Sequence, residues 1–403
     1  MKPIKTITST EMRGINRSAI LELIRRSGPT SRSAIAETLE ISLPTVMRIV
    51  DSLIEEVLVI PTGPKEWSGG RKRSMVKFNA SGHLIIGIDL GGTKMYGALA
   101  DLGGNILREA TIPHHNTTGQ ASYQRLVELI EELLPAARTT GKILRGIGVG
   151  VPGITDHETG SVQWAAGLDW RDFPLKDRLV ADFHLPVIVD NDVNLAALGE
   201  LGFGLGQNAE NLVVIAVGTG IGAGVVIDGA LYRGSHQVAG EIGYLIPDRS
   251  LLGQPYPEFG ALEQLASGPG IARRARQALD SLEQTPVPIP PDQLDRLVAE
   301  DVFEAARRKE PWACLVVNDT VDYLAQAVAA LAVCFDPDLI ILGGGVARSA
   351  DLLIEPILSR LAGALPIQPR LVASQLGYQA TVLGTIANLL YQTSDFYILR
   401  KIS

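Results

Sequence analysis

The chain has 403 residues, 46% of them hydrophobic, which is enough for two or three domains with buried cores. Its two cysteines, Cys314 and Cys334, exclude a disulfide framework and a cysteine-rich metal site. A net charge of −8 excludes indiscriminate binding to nucleic acid, but residues 1–80 hold 13 Lys/Arg against 8 Asp/Glu, whereas the rest holds 23 against 36. We therefore expect a basic N-terminal unit and an acidic remainder.

The N-terminal residues are mainly polar and contain no apolar core of a signal peptide. Apolar runs such as residues 84–88 have the length of a strand, well short of the roughly 20 residues that a membrane-spanning helix needs. We therefore expect a cytoplasmic protein that does not insert into a membrane.

Three short helices are predicted near the N-terminus. The first covers residues 16–26 and is followed by Ser-Gly-Pro, a typical stop signal. Ser31 and Ser42 are in position to cap the second and third helices, and Pro44 lies in the first turn of the third. Apolar spacing predicts that one stripe of the third helix is buried: Val46, Ile49, Val50, Leu53 and Ile54.

The opposite face of the third helix, with Thr45, Met47, Arg48 and Asp51, is expected to face outward. A helix that follows a tight turn in this way is typical of a helix-turn-helix motif, whose recognition helix enters the major groove of DNA. The predicted DNA contacts from the helices are Ser31, Arg32, Ser42, Thr45 and Arg48.

A hairpin is predicted next, with strands at residues 57–60 and 75–78 and the cations Arg71, Lys72 and Arg73 at its tip. Such cations neutralise DNA phosphates, so the hairpin is predicted to be the wing of a winged helix-turn-helix domain over residues 1–80. The alternative is a three-helix protein-interaction module with a solvated basic loop.

Glycine turns between strands characterise the remaining chain. One strand-turn-strand unit has strands at residues 84–89 and 95–99 and a glycine turn at 90–94. A second unit of the same kind has strands at residues 212–217 and 225–227 and a glycine turn at 218–224. This repetition predicts two similar lobes. We place them at residues 81–200 and 201–403 and expect the C-terminal helix to pack back on the first lobe. Glycine turns expose backbone N–H groups that bind phosphate, although each turn alone is also ordinary hairpin geometry.

A polar segment, Asn191-Asp192, follows the apolar strand 187–189. A carboxylate at the end of a strand beside a cleft is well placed to act as the general base for a hydroxyl group, as in kinases. The alternative is that these residues only cap the following helix.

Together these motifs resemble the ROK family, which groups bacterial sugar-responsive repressors with sugar kinases. The chain resembles in particular the regulator branch of the family, which includes N-acetylglucosamine and xylose repressors, because the kinases of the family lack an N-terminal winged helix-turn-helix domain. The resemblance implies an α/β body with a two-lobed, actin-like (ribonuclease H-like) sugar-kinase fold. It implies nucleotide-binding residues Asp89, Gly91, Gly92, Thr93, Lys94, Gly218, Thr219, Gly220, Gly222, Gly344 and Gly345. It implies sugar-binding residues Gly153, Asn191, Asp192, Glu241, Tyr244 and Glu263, with Asp192 as the catalytic base of a kinase.

One departure from the family pattern concerns zinc. The family's zinc-binding histidine and three cysteines are replaced here by Tyr244, Gln254, Tyr256 and Ala261, which cannot supply a thiolate set. We therefore expect no zinc, with the segment 247–259 held by packing. Tyr244 still offers a hydroxyl to a sugar, and Trp164 and Trp170 offer either an aromatic face or core packing.

These features favour a sugar-responsive repressor that binds operator DNA as a homodimer or a dimer of dimers and takes a small carbohydrate as its effector. The alternative is a sugar kinase that uses Mg-ATP, alone or together with regulation. A third hypothesis makes the body a purely structural dimerisation unit.

Overall fold

A computed structural model describes residues 9–63, 74–114, 117–256, 259–281 and 294–391. The N-terminal head contains three helices and a small sheet in the strand order β1-β3-β2. Its elements are α1 (Ser9–Ser27), β1 (Thr30–Ser31), α2 (Arg32–Thr38), α3 (Leu43–Glu55), β2 (Val59–Thr62) and β3 (Met75–Phe78). The three predicted helices and the hairpin strands are thus confirmed, although α1 begins at Ser9 rather than at Asn16.

Local sequence signals explain where the head helices begin. The hydroxyl of Ser31 accepts a hydrogen bond from the Ala34 amide at 3.2 Å, which confirms it as the cap of α2. Ser42 precedes α3 without capping it in this way, because its Oγ lies 2.8 Å from Oγ1 of Thr45. Strand β2 begins two residues later than predicted, since Val57 takes a left-handed conformation, with φ of 61°, after α3.

The first lobe is built on a five-stranded sheet in the order β11-β7-β4-β5-β6, with a three-stranded sheet, β10-β9-β8, beside it. Its strands are β4 (His83–Leu90), β5 (Lys94–Asp101), β6 (Ile106–Pro113), β7 (Ile143–Val151), β8 (Ile154–Asp156), β9 (Ser161–Ala165), β10 (Trp170–Phe173) and β11 (Val187–Asn191). Helices α4 (Gly119–Thr139) and α5 (Leu175–Phe183) complete its core.

The second lobe repeats this plan with the order β14-β13-β12-β15-β16, so the predicted pair of similar lobes is confirmed. In both sheets three consecutive antiparallel strands are followed by two parallel ones. Its strands are β12 (Leu212–Val217), β13 (Ile221–Ile227), β14 (Ala230–Leu231), β15 (Leu339–Gly343) and β16 (Leu371–Ala373). Its helices are α6 (Asp192–Phe203), α7 (Ala261–Ala266), α8 (Gly268–Asp280), α9 (Ala299–Arg307), α10 (Pro311–Phe335) and α11 (Ile354–Leu361).

Within the described residues, only α10 is long and apolar enough to cross a membrane by length and composition, and half of its apolar window is buried in the protein. Its buried face, which includes Trp312, Val316 and Leu324, belongs to the core of the second lobe. This packing is that of a core helix.

Helix α12 (Gln379–Tyr391) packs against α6 and against β4 and β7 of the first lobe. The two helices cross with their backbones in contact. A Cβ atom at Gly384 would overlap the carbonyl oxygen of Leu195, and one at Gly199 would overlap that of Ala380. Glycine is therefore required at this crossing, because every other residue would push the helices apart.

The head is joined to the body by a shared hydrophobic cluster. Head residues such as Ile24, Val50 and Val76 form one continuous buried cluster with body residues Ile85, Ala100, Leu102, Leu383 and Ile386. Since Leu383 and Ile386 belong to α12, the helix that lies between the lobes also packs against the head–body junction.

Hydrogen bonds at the end of α3 add a polar connection. Arg145, at the start of β7, donates from Nη2 to the carbonyl of Glu56 at 3.1 Å and from Nε to Nδ1 of His83 at 3.0 Å. Nε2 of His83 lies 2.9 Å from the carbonyl oxygen of Val57. Burial, with the nearby Arg145 charge, lowers the pKa of His83, so the neutral ring bonds both groups. The body thus binds the C-terminal end of the predicted recognition helix.

Candidate functional site

The outer face of α3 presents the side chains expected to meet DNA. Met47, Arg48 and Asp51 are exposed, whereas Val46, Ile49, Val50 and Leu53 are buried, so the predicted amphipathic pattern is confirmed. Ser42 is exposed and Thr45 half-buried at the N-terminal end of the same face. This is the end of a recognition helix that contacts base edges.

The structure corrects one predicted DNA contact and constrains another. Ser31 is only 5% exposed and its hydroxyl caps α2, so its side chain is not available to DNA, contrary to prediction. Arg32 is paired with Asp51 at 2.6 Å, and this ion pair competes with a phosphate for the guanidinium. The predicted wing cations Arg71, Lys72 and Arg73 lie outside the described residues.

Arg13 of α1 is a surface cation that the sequence patterns missed. It is exposed and lines a groove of about 570 Å³ together with Met47, Arg48 and Asp51 of α3. The extra N-terminal turns of α1, which begin before the predicted helix, bring this cation beside the recognition helix.

Four carboxyl groups meet in the cleft between the lobes. Asp89 is the last but one residue of β4, and Asp192 begins α6. Glu241 lies in the segment after β14, and Glu263 lies in the first turn of α7. All four are partly buried. The charge of Asp192 raises the pKa of each of the other three carboxyl groups, so the four groups are close enough to interact electrostatically.

Burial is the main cause of the raised pKa values in this cluster. It raises the pKa of Asp192 to about 6, and burial together with the Asp192 charge raises that of Asp89 to about 7. Burial and the charges of Asp192 and Glu263 raise the pKa of Glu241 to about 7. Carboxyl groups in a cleft whose pKa values are raised toward 7 are typical of sites that bind a ligand or transfer a proton.

The Asn191-Asp192 turn is held by hydrogen bonds from several directions. Oδ1 of Asn191 accepts from the amides of Val193 at 3.0 Å and Asn194 at 2.9 Å, and its Nδ2 donates to the carbonyl of Gly153 at 3.0 Å. Gly153 has φ of 93° and lies against the Trp164 carbonyl, which leaves no room for a side chain. Asn191 caps α6, as the alternative interpretation of this segment predicted. The Asp192 carboxyl accepts a hydrogen bond from the Val193 amide at 2.9 Å.

The remaining predicted sugar ligands differ in whether other protein groups already bond them. Oε2 of Glu263 accepts from the Ile221 amide at 2.7 Å, so this carboxylate also orders the second glycine loop. Tyr244 is 40% exposed, and its pKa is raised by burial and by the charges of Glu241 and Glu263. Trp170 is buried, donates to the Gly119 carbonyl and stacks on Phe173, which confirms its core role.

Thr381 of α12 is a cleft residue that no motif indicated. Its hydroxyl hydrogen-bonds the Asp89 carboxyl and lies 3.4 Å from the carbonyl oxygen of Asp192. The C-terminal helix packs on β4 and β7 of the first lobe, as predicted, and this packing brings Thr381 to the cleft.

The glycine loops face each other across the cleft. A Cβ atom at Gly92 of the first loop would lie 2.9 Å from Oγ1 of Thr219 in the second, and both Thr93 and Thr219 are exposed. The amide of Gly268 donates to the Gly218 carbonyl at 2.7 Å, which joins the start of α8 to the second loop. Asp89, Gly91 and Gly220 also lie in this region.

Other residues of the predicted nucleotide set have contacts of their own. Gly222 lies within β13 against Val193 of α6, so helix packing accounts for its glycine. Nζ of Lys94 lies 3.4 Å from the centre of the Tyr378 ring. Gly344 packs on Val217, and the carbonyl of Gly345 accepts a hydrogen bond from Arg348. Among the described residues, no three His, Cys, Asp or Glu side chains are arranged to hold a metal ion.

Replacing Glu241 with glutamine is expected to stabilise the ligand-free protein at pH 8 by about 1–3 kcal/mol, and much less at pH 5. A carboxyl with a raised folded-state pKa favours folding while protonated and loses that stability as the pH rises from about 4.5 to about 7. Thermal unfolding at the two pH values measures the difference. Glu128→Gln, an exposed carboxyl on α4, is the control, and an equal change in both variants would contradict burial as the cause.

A DNA-binding head joined to a two-lobed body, with carboxyl groups and glycine loops in its cleft, defines a transcription regulator built on a sugar-kinase fold. The ROK family model matches residues 85–392, and a model described as winged helix-turn-helix DNA-binding matches residues 15–56. The chain belongs to the ROK family, and the predicted actin-like body is confirmed.

Similar proteins include both regulators and kinases. The putative xylose repressor of Caldicellulosiruptor sp. is 32% identical over 93% of this chain and 94% of its own length. The glucokinase of Halalkalibacterium halodurans is 37% identical over 76% of this chain and 92% of its own length. A solved ROK family transcriptional regulator, a homolog of the E. coli MLC protein, superposes with a TM-score of 0.82 at 26% identity, covering 97% of this chain and 100% of the other.

Proposed function

We propose that the protein is a sugar-responsive transcriptional repressor in the cytoplasm, and that a sugar in the interlobe cleft lowers its affinity for operator DNA. The observation that carries this proposal is the presence, in one chain, of an exposed recognition helix and a cleft containing Asn191, Asp192 and Glu241. The similarity to xylose repressors extends over the head and the body together, which supports regulation as the function.

The cleft has the chemistry of a carbohydrate site. Carboxylates accept hydrogen bonds from sugar hydroxyls, and charge-assisted bonds of this kind are stronger than neutral ones. Asp192 follows directly after β11 of the first lobe, and Glu241 lies after β14 of the second lobe, so one sugar that bonds both would favour a particular closure of the lobes. Sugar hydroxyls that hydrogen-bond these carboxylates would also replace part of the water that the carboxylates lose on burial.

Helix α12 offers a route from the cleft to the head. Thr381, near its start, contacts the cleft carboxyl Asp89, whereas Leu383 and Ile386 belong to the hydrophobic cluster shared with the head. A shift of this helix on lobe closure would therefore act on the packing beneath α3. The bonds from Arg145 and His83 to the end of α3 would transmit motion of β4 and β7 to the same helix.

The geometry of DNA recognition leads us to propose a homodimer, alone or paired into a dimer of dimers. Two recognition helices related by two-fold symmetry read two half-sites about one helical turn apart, roughly 34 Å. A sugar that alters the spacing of the heads would then release the operator, and the operator would reciprocally weaken sugar binding.

The test is a titration of operator DNA by the full-length protein, with and without saturating monosaccharides, amino sugars and pentoses. We expect one class of sugar to weaken operator binding by at least about 10-fold, which corresponds to 1.4 kcal/mol of coupling. If every sugar leaves operator binding unchanged, the body is a structural unit and the sensing half of the proposal is wrong.

A second candidate function is phosphorylation of the sugar. It is favoured by the position of Asp192, a partly buried carboxyl whose burial raises its pKa to about 6, beside two intact glycine loops. The backbone amides of these loops and the hydroxyls of Thr93 and Thr219 suit phosphate, and Asp89 suits the water shell of a magnesium ion. Bound Mg-ATP would supply the phosphoryl group, and Asp192 would take the proton of the attacking hydroxyl.

If the protein is a kinase, Asp192→Asn is expected to lower kcat by about 100- to 10,000-fold, because the isosteric amide cannot accept the proton. A coupled ADP assay with the sugar that binds measures this loss, and isothermal titration of the sugar shows whether the site is intact. Undiminished turnover in the variant would remove Asp192 from the base role, and no turnover in the wild type would leave sensing as the only function.

A further inference from the structure

A buried ion pair joins the two lobes next to the Asn191-Asp192 turn. Asp190, at the end of β11, is completely buried, and Arg233 follows β14 in the second lobe. Nη1 of Arg233 donates to Oδ1 of Asp190 at 2.7 Å and Nη2 donates to Oδ2 at 2.6 Å. This bidentate geometry, away from water, is the arrangement in which Arg cannot be exchanged for Lys without loss.

The Asp190 carboxylate also holds Asn191, the first residue of the Asn191-Asp192 turn. Its Oδ1 accepts from the Asn191 amide at 2.8 Å, and its Oδ2 accepts from Nδ2 of Asn388 on α12 at 3.3 Å. Asn191 in turn bonds the amides of Val193 and Asn194. The position of Asn191 and Asp192 therefore depends on a carboxylate that does not itself face the cleft.

Arg233 is tied equally closely to the second-lobe part of the site. Its carbonyl accepts from the Ala239 amide at 3.2 Å, which closes the loop that leads to Gly240 and Glu241. The carbonyl of Gly240 accepts from the amides of Ala223 and Ile242, both at 2.7 Å, so this loop is anchored to β13. One guanidinium thus connects the segment carrying Glu241 to the segment carrying Asp192.

We infer that Arg233 is a positioning residue of the sugar site: through Asp190 it holds the Asn191-Asp192 turn in place relative to Glu241. This inference rests on the proposed function, because it assigns Arg233 to the same cleft. A lysine at this position would keep the charge but bond only one carboxylate oxygen at a time, and it would leave the turn free to move.

The experiment uses full-length Arg233→Lys protein and measures hydrogen–deuterium exchange together with sugar affinity. We expect the amides of Asn191, Val193 and Asn194 to exchange at least about 10-fold faster than in the wild type, and sugar affinity to fall about 10-fold. The matched control is Arg307→Lys, which alters an exposed bidentate pair with Asp351, at 2.8 and 3.0 Å, in the same lobe. This control should change neither quantity.

Unchanged exchange at these three amides in the folded Arg233→Lys variant would overturn the inference. If Arg233→Lys does not fold, the double variant Asp190→Asn/Arg233→Gln replaces the ion pair by neutral amides and is expected to show the same acceleration. If the wild type binds no sugar, the proposed function fails, while the exchange rates still decide whether Arg233 holds the turn. A merely structural role would lower the melting temperature and leave sugar affinity and these amides unaltered.

Discussion

Replacing Arg48 with alanine is expected to weaken operator binding by about 10- to 100-fold, because a side chain that reads a base edge contributes about 1–3 kcal/mol of discrimination. Arg48 is exposed on the outer face of α3 and has no ion pair among the described residues, so its guanidinium is available to DNA. Fluorescence anisotropy with operator and with unrelated DNA, over a range of salt concentrations, measures the change.

The control for Arg48 is Arg26→Ala, which removes an equal charge from the last turn of α1, where Arg26 is paired with Glu22. If Arg48→Ala weakens both DNAs equally and reduces the salt slope by about 1, Arg48 binds a phosphate rather than a base. If the two variants behave alike, the assignment of α3 as the recognition helix is wrong.

Replacing Asp192 with alanine is expected to raise the dissociation constant for the sugar by about 100-fold or more, since charge-assisted hydrogen bonds contribute roughly 1.5–3 kcal/mol each. The variant should still bind operator DNA but should no longer release it when sugar is added. Calorimetry measures the first effect, and anisotropy at increasing sugar concentration measures the second.

Removing Asp192 also removes the charge that contributes to the raised pKa values of Asp89 and Glu241. The ligand-free variant should therefore be no less stable than the wild type at pH 8, which separates loss of binding from loss of folding. The control is Asp177→Ala, an exposed carboxyl in the first turn of α5. Wild-type sugar affinity in Asp192→Ala would mean that the sugar binds elsewhere.

The sequence predicted the elements whose signals are local. Helical spacing from Val46 to Leu53 indicates which face of α3 is buried, and the repeated strand-glycine-strand pattern indicates two lobes. These signals work because the period of a helix and the conformational freedom of glycine are properties of a few consecutive residues.

Contacts made over long distances could not be predicted in the same way. Ser31 and Ser42 are both serines at the start of a helix, and only the fold decides that one is buried and the other exposed. Asp190 and Arg233 are 43 residues apart and lie in different lobes, so no spacing indicates their pairing. Likewise, Gly222 and Gly92 both fit a glycine loop, although the first packs on a helix and the second on the opposite loop.

The backbone contact between Gly199 of α6 and Gly384 of α12 limits how the lobes can move. Two helices that already touch through their main chains cannot approach further, and separating them would open a cavity along the crossing. A rotation of the lobes about this crossing would keep the two backbones in contact. Helix α12 contacts the cleft through Thr381 and the head through Leu383 and Ile386. Such a rotation in the cleft would therefore also change the placement of the DNA-reading helix.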